Sequence, residues 1–125
     1  MFMNELRSGL AFVADSVDAR SLSKLSAALG LFRVLDEGIE VARVEVFLFV
    51  ARSGDCTMQE LSEGLTLSQA SCSRNVAALA EVNRQKQPGL GLLEKYQDPI
   101  EPRRFRIRLT IKGRQMVRTI NQAMR

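Results

Sequence analysis

Apolar residues recur at helical spacing along the first half of the chain. Over residues 3–18 the intervals alternate between three and four, which predicts an amphipathic helix. A second stripe predicts a helix that begins after a cap at Ser21 and ends near Gly38. A third, more apolar stripe begins at Val41 and predicts a helix central to the core. The stripes consist of Met3, Leu6, Leu10, Val13 and Val17, then Leu22, Leu25, Leu29 and Phe32, then Val41, Val44, Phe47, Leu48 and Val50.

Two shorter helices with a glycine-containing turn are expected next. Thr57 and Glu60 have the spacing of a capping box. The helix they start should stop at Gly64, because glycine adopts a positive φ at little cost. Ser68 is a favourable N-cap for the following helix, which should run to about Asn83. A helix, a tight turn and a second helix are typical of a helix-turn-helix.

The pattern then changes to strict alternation. Residues 92–96 are a strand candidate, and residues 97–102 form a turn with two prolines. From Arg104 to Leu109, a period of two places three apolar residues on one face and three arginines on the other. Thr110 then caps a last helix. We therefore expect a mainly α (α+β) fold, a winged helix-turn-helix with a two-stranded β-hairpin wing and extra N-terminal helices.

Length and composition fit one soluble domain. The chain has 125 residues, of which 46% are hydrophobic and 26% are charged. We expect residues 1–40 to support dimerisation, 41–113 to bind DNA and 114–125 to form a short C-terminal helix. No signal peptide or apolar run of membrane-spanning length is visible, so we expect a cytoplasmic protein with no membrane partner.

The residue inventory argues against an enzyme. The chain has no histidine, so the usual general base is missing. Cys56 and Cys72 have no nearby soft ligand that would support a zinc site, and no phosphate-binding glycine motif is present. We expect no cofactor and no metal. A redox-sensing role for the cysteines is the weaker interpretation, because no basic residue is adjacent to either thiol.

The net charge of +4 is unevenly distributed. Residues 1–63 contain six Lys and Arg against ten Asp and Glu, a net −4, whereas residues 64–125 contain twelve against four, a net +8. Segregated positive charge suits a surface that binds a polyanion, although a dipolar surface without a partner has the same composition.

The predicted second helix of the helix-turn-helix supplies candidate base contacts. If Cys72, Val76 and Leu79 face the core, polar side chains project outward from the first half of this helix. Gln and Arg can make bidentate contacts with adenine and guanine, respectively. An ordinary solvated helix end would look similar. The candidates are Ser68, Gln69, Ser71, Ser73 and Arg74.

The wing supplies candidate phosphate and minor-groove contacts. Neighbouring arginines repel one another unless an anion lies opposite, and arginine suits phosphates and narrow minor grooves. The alternative is that they pair with Glu94, Asp98 and Glu101 of the same hairpin. The wing candidates are Arg103, Arg104, Arg106 and Arg108, with Arg84, Lys86 and Lys95 as further phosphate contacts.

Together these segments give the region from Val44 to Gly113 a resemblance to the winged helix-turn-helix domain of MarR-family transcription regulators. The matching pieces are residues 56–62, 67–74, 91–95, Asp98-Pro99, Arg103 and 109–114. The resemblance implies a dimeric regulator that binds a palindromic promoter site, with Arg103 reaching the minor groove from the wing. Glu101 stands where the family usually has Asp.

Three departures from the family pattern change the expectation. Ile100 and Pro102 occupy wing positions that are commonly basic, and residues 79–91 contain an insertion. Only twelve residues follow Gly113, whereas family members usually have longer C-terminal helices. We therefore expect dimerisation to rely on the N-terminal helices, and the sequence identifies no small-molecule effector.

The sequence thus predicts a sequence-specific double-stranded DNA-binding regulator, a repressor that acts as a homodimer. Two alternatives stay open. One is a winged helix that docks an acidic partner protein, and the other is a replication or packaging factor of a mobile element.

Overall fold

The computed structural model describes residues 18–82 and 86–125. The predicted helix over residues 3–18 lies almost entirely outside this part of the chain, as does Arg84. The elements are α1 (Ala19–Leu35), α2 (Val41–Ser53), β1 (Asp55–Thr57), α3 (Met58–Leu65), α4 (Gln69–Leu79), β2 (Leu93–Gln97), β3 (Phe105–Leu109) and α5 (Ile111–Ala123). No helix in the described ranges is long and apolar enough to cross a membrane.

The two long helices pack through an aromatic pair. Phe32 of α1 and Phe47 of α2 are buried and meet edge to face, with their ring centroids 5.6 Å apart. The predicted cap at Ser21 is wrong, because Asp18 is the N-cap and accepts a hydrogen bond from the backbone N–H of Arg20 at 2.9 Å. An aspartate at this position also has a favourable interaction with the helix dipole.

The sheet has three antiparallel strands rather than the two that the sequence predicted. β3 lies in the centre, with β1 on one side and β2 on the other. Cys56 pairs with Ile107 in register, and both side chains are buried. The sequence did not predict β1, because a strand of three residues is too short to show an alternation of apolar and polar side chains.

Two predicted helix ends differ from the structure. α3 continues through Gly64 to Leu65, and Thr66 takes the left-handed conformation with φ 55°. Gly64 is needed for another reason, because a Cβ there would collide with the Phe49 ring. α4 stops at Leu79, four residues before the predicted end at Asn83, and Ala80 is its C-cap.

The last helix closes the core from the other side. Thr110 caps α5 as predicted, accepting a hydrogen bond from the backbone N–H of Gly113 at 2.9 Å. Met116 is buried, Val117 and Ile120 pack against the core, and Met124 at the end of the helix is exposed. α5 contacts α1 as well as β3, so residues outside 41–113 share the same packing unit.

Candidate nucleic-acid interface

Helices α3 and α4 are fixed by side-chain caps at their first turns. The Thr57 hydroxyl accepts from the Glu60 backbone N–H at 3.1 Å, and the Glu60 carboxylate accepts from the Thr57 backbone N–H at 2.8 Å, which completes the predicted capping box. The hydrogen bond from the Thr57 backbone N–H lowers the pKa of the Glu60 carboxyl group. Ser68 caps α4 by accepting from the Ser71 backbone N–H at 3.0 Å. The Ser68 hydroxyl therefore has a structural task at the start of the helix.

The turn between these helices is closed by backbone and side-chain bonds. The Leu67 backbone N–H donates to the Ser62 carbonyl at 3.0 Å. The Ser62 hydroxyl donates back to the Leu67 carbonyl. These paired bonds and left-handed Thr66 hold α3 and α4 at a fixed angle, as a helix-turn-helix requires.

Helix α4 has the inner face that the sequence predicted. Cys72, Val76 and Leu79 are buried. Gln69 and Arg74 are exposed, whereas Ser71 and Ser73 are partly buried at the edges of the outer face. Within the described part of the chain, Arg74 makes no ion pair. Its guanidinium is therefore available to an outside acceptor.

A cleft of about 260 Å³ connects the start of α4 to the wing. It brings together Gln69 with Lys95 and Arg104, three residues that the sequence proposed on separate grounds. The Lys95 ammonium lies over the half-exposed Phe105 ring, 5.4 Å from its centroid. An aromatic ring beside two cations gives this cleft both apolar and positively charged surface.

Three of the four wing arginines are paired with carboxylates of the same chain. Arg104 contacts Asp98 at 2.9 Å, Arg106 contacts Asp55 at 2.9 Å and Arg108 contacts Glu94 at 3.0 Å. The alternative drawn from the sequence, pairing within the hairpin, is thus confirmed for Arg104 and Arg108. Arg106 pairs with Asp98 of the hairpin at 3.5 Å as well as with Asp55 outside it, and Glu101 has no part in these pairs.

Asp98 organises the tip of the wing. Its Oδ1 accepts from the backbone N–H groups of Ile100 at 2.8 Å and Glu101 at 3.1 Å. These bonds, followed by those from Arg104, lower the pKa of Asp98 to about 2. The buried carboxylate shapes the turn and holds Arg104 against it, which limits what Arg104 can offer to DNA.

Arg103 differs from its neighbours in the wing. It lies in the turn between β2 and β3, is exposed, and has no ion-pair partner among residues 18–82 and 86–125. Lys86 is exposed as well and lies beyond the end of α4. Among the described residues, the cations without an ion pair on or beside the two predicted DNA elements thus include Arg74, Lys95 and Arg103.

The two cysteines are buried free thiols. Desolvation raises the pKa of Cys56 to about 11 and also raises the pKa of Cys72. A thiol with a raised pKa is a poor nucleophile at neutral pH, which favours a packing role over oxidant sensing.

Solved structures share this architecture. Rv1404 of Mycobacterium tuberculosis matches with a TM-score of 0.67 at 19% identity, covering 91% of this chain and 73% of that one. A MarR variant of E. coli in complex with operator DNA matches with a TM-score of 0.62 at 17% identity, covering 95% and 73%. YusO of Bacillus subtilis matches with a TM-score of 0.60 at 14% identity, covering 98% and 75%. The chain has the MarR-like winged-helix fold.

At these identities the likeness establishes the fold alone. No protein-family model matches the sequence, and no curated protein matches it significantly. The MarR-like fold shows where the helix-turn-helix and the wing lie, but it assigns no role to any single residue. Those roles have to be argued from the contacts described above.

Two residues that stabilise this MarR-like fold were missed at the sequence level. Asp55 accepts hydrogen bonds from Arg106 and Tyr96, which lower its pKa. Asn75 is buried on the inner face of α4 and accepts a hydrogen bond from Arg43. Helical spacing could have found Asn75, which lies three residues after Cys72. Nothing local to Asp55 indicates a partner 51 residues away.

Proposed function

We propose that this chain is a sequence-specific double-stranded DNA-binding regulator of transcription. The observation that carries the proposal is the exposed first half of α4, whose outer face presents Gln69 and unpaired Arg74 beside a wing with unpaired Arg103. A helix of this kind fits the major groove, with base contacts from its N-terminal residues. The wing, at the far end of the cleft, would lie along the adjacent backbone and minor groove.

The roles follow from the available side chains. Gln69 and Arg74 would contact base edges, and partly buried Ser71 and Ser73 would lie close to the groove at the edges of that face. Arg103 would contact the minor groove or phosphates, with Lys95 and Lys86 as further phosphate contacts. Arg104 and Arg108 would add to the positive electrostatic potential of the wing but would stay bound to their carboxylates and make no direct DNA contact.

We further propose action as a homodimer on a palindromic site, in the manner of a repressor. Helix α1 supports self-association, because Leu22, Leu25 and Leu29 line a cleft on it and are about half exposed. An apolar stripe of this length is costly to leave in water. A two-fold dimer would place two copies of α4 one helical turn of DNA apart, which explains the expectation of a palindrome.

Two solved structures with this fold were determined with DNA, namely the MarR variant with operator DNA and reduced AbfR bound to DNA. They support the proposed partner by analogy of fold.

Selection of bound duplexes from a random pool, combined with the mass of the protein in solution, tests the proposal. We expect an enriched palindromic motif and a mass of about twice 14.0 kDa. Binding without any enriched sequence, or binding that is lost at physiological salt, would contradict it and favour a winged helix that docks an acidic protein.

A further inference from the structure

A buried amide lies on the inner face of α4. Asn75 is 1% exposed and lies between Cys72, Val76 and Leu79 on the face that packs against α2. Asparagine is a weak helix former, and a buried polar side chain is costly unless its hydrogen bonds are made. Its presence at this position therefore requires an explanation other than packing.

The amide is fully engaged on both sides. Its Oδ1 accepts from Arg43 Nε at 3.1 Å. Its Nδ2 donates to the Ser71 carbonyl at 3.0 Å, and its distance to Ser71 Oγ is 3.4 Å. Arg43 of α2 is in turn held by Asp36 at 3.6 Å, in the corner between α1 and α2. A continuous polar chain thus runs from that corner into the first half of α4.

The polar chain from Asp36 through Arg43 to Asn75 restricts rotation of α4 about its axis. Contacts among small apolar groups such as Cys72 and Val76 are non-directional and tolerate a small rotation. Hydrogen bonds are directional, so the Arg43–Asn75 bond selects one rotational setting. Recognition sites need their side chains held to within roughly 0.5 Å and 10–20°. Arg74, next to Asn75 in sequence, moves with any rotation of the helix.

We propose that Asn75, held by Arg43, is a positioning residue that sets the rotation of α4 and thereby the accuracy with which Gln69 and Arg74 meet base edges. This inference rests on the proposed function, because it concerns how the same surface discriminates between sequences. Asn75 itself is buried and does not contact DNA.

The test is Asn75→Leu, which keeps the branching at Cγ but has no polar side-chain atoms and so removes the polar chain. The readout is the ratio of dissociation constants for a scrambled duplex and for the duplex selected by the wild type, measured at fixed salt. We expect this ratio to fall roughly tenfold, the effect of removing one well-formed interaction with a base, while affinity for the scrambled duplex is unchanged. Thermal stability should fall modestly, because Leu is larger than Asn and Arg43 loses one hydrogen-bond acceptor while keeping Asp36.

Three variants separate positioning from general destabilisation. Val76→Ala leaves a cavity on the same face, so it should lower Tm but preserve the ratio. Arg43→Met should reproduce the loss of discrimination while the Asn75 site stays filled. Arg43→Lys keeps a donor facing Oδ1 and should retain part of the wild-type ratio.

The outcomes distinguish this inference from the function on which it rests. A wild-type ratio retained in both Asn75→Leu and Arg43→Met would overturn the positioning role and leave the proposed function intact. Equal losses of affinity on both duplexes would overturn it as well, since they indicate a merely structural role. A wild-type protein without any sequence preference would overturn the proposed function itself.

Discussion

Arg106 and Asp55 form a two-point ion pair that connects β3, the central strand of the sheet, to β1, the strand preceding the helix-turn-helix. Arg106 Nη2 donates to Oδ1 at 2.9 Å and Nε donates to Oδ2 at 3.3 Å. Tyr96 of β2 donates to the same carboxylate. The pair spans 51 residues of sequence and links all three strands. Because the Arg106 guanidinium is committed to it, we assign Arg106 to holding the wing and not to contacting phosphate.

Removing this guanidinium should change stability more than the electrostatics of DNA binding. In Arg106→Ala, Asp55 loses its main partner, so Tm should fall. The slope of log affinity against log salt should stay at the wild-type value once the folded fraction is taken into account. Thermal melts and binding titrations at several salt concentrations check this. If the salt slope of Arg106→Ala fell by one unit while its Tm stayed unchanged, Arg106 would be a phosphate contact and this assignment would be wrong.

Arg103 should behave in the opposite way. Because it is exposed and unpaired within the described ranges, Arg103→Ala should leave Tm almost unchanged. The salt slope should drop by about one unit, because the variant neutralises one phosphate fewer. Arg108→Ala is the matched control, since Arg108 is held by Glu94 and stacks on Tyr96 at 4.1 Å. Equal slope changes in the two variants would show that pairing does not determine which arginine binds.

Local sequence signals predicted most of the fold correctly. The capping box at Thr57, the caps at Ser68 and Thr110 and the alternation from Arg104 to Leu109 each depend on residues within a few positions of one another. The inner face of α4 followed from helical spacing for the same reason. Physical rules for caps and periods need no knowledge of the rest of the chain.

The errors arose where distant residues decide the outcome. β1 forms because β3 pairs with it, and Arg106 is neutralised by Asp55, a residue 51 positions away that only folding brings near. Gly64 suggested a helix end, but it is required for close packing against Phe49. The assignment of individual DNA contacts stays a prediction, because availability to a partner depends on such pairings.

Gly113 should be intolerant of a side chain. It is buried in the first turn of α5, and a Cβ there would collide with the Leu92 carbonyl oxygen, which accepts a hydrogen bond from Thr110. Gly113→Ala should lower the free energy of unfolding by about 1–3 kcal/mol through overpacking. Gly30→Ala is the control, since nothing lies within 4 Å of its Cβ position in α1, and it should be neutral or stabilising by up to about 1 kcal/mol. Denaturant melts measure the free energy of unfolding of both variants. Equal values for the two would contradict the close packing at Gly113.

The wing turn should be sensitive to acid. The pKa of Asp98 lies at about 2 in the folded chain, below its ordinary value of 3.8, because backbone N–H groups bind the carboxylate. A depressed carboxyl pKa contributes stability above the unfolded value, and that contribution is lost as the pH falls through about 2. The Tm of Asp98→Asn should therefore lie below that of the wild type at about pH 6, with the difference shrinking between about pH 4 and 2. A difference that does not vary with pH would contradict this.

The central claim is that the first half of α4 reads base edges, and Arg74→Ala tests it most directly. Dissociation constants of the wild type and the variant are measured on the selected duplex and on a scrambled one at the same salt. Arg118→Ala, an exposed arginine on α5, is the control for loss of charge. We predict a loss of about 1–3 kcal/mol on the selected duplex only, with relaxed preference at one base pair. Equal losses on the two duplexes would contradict base reading by this helix.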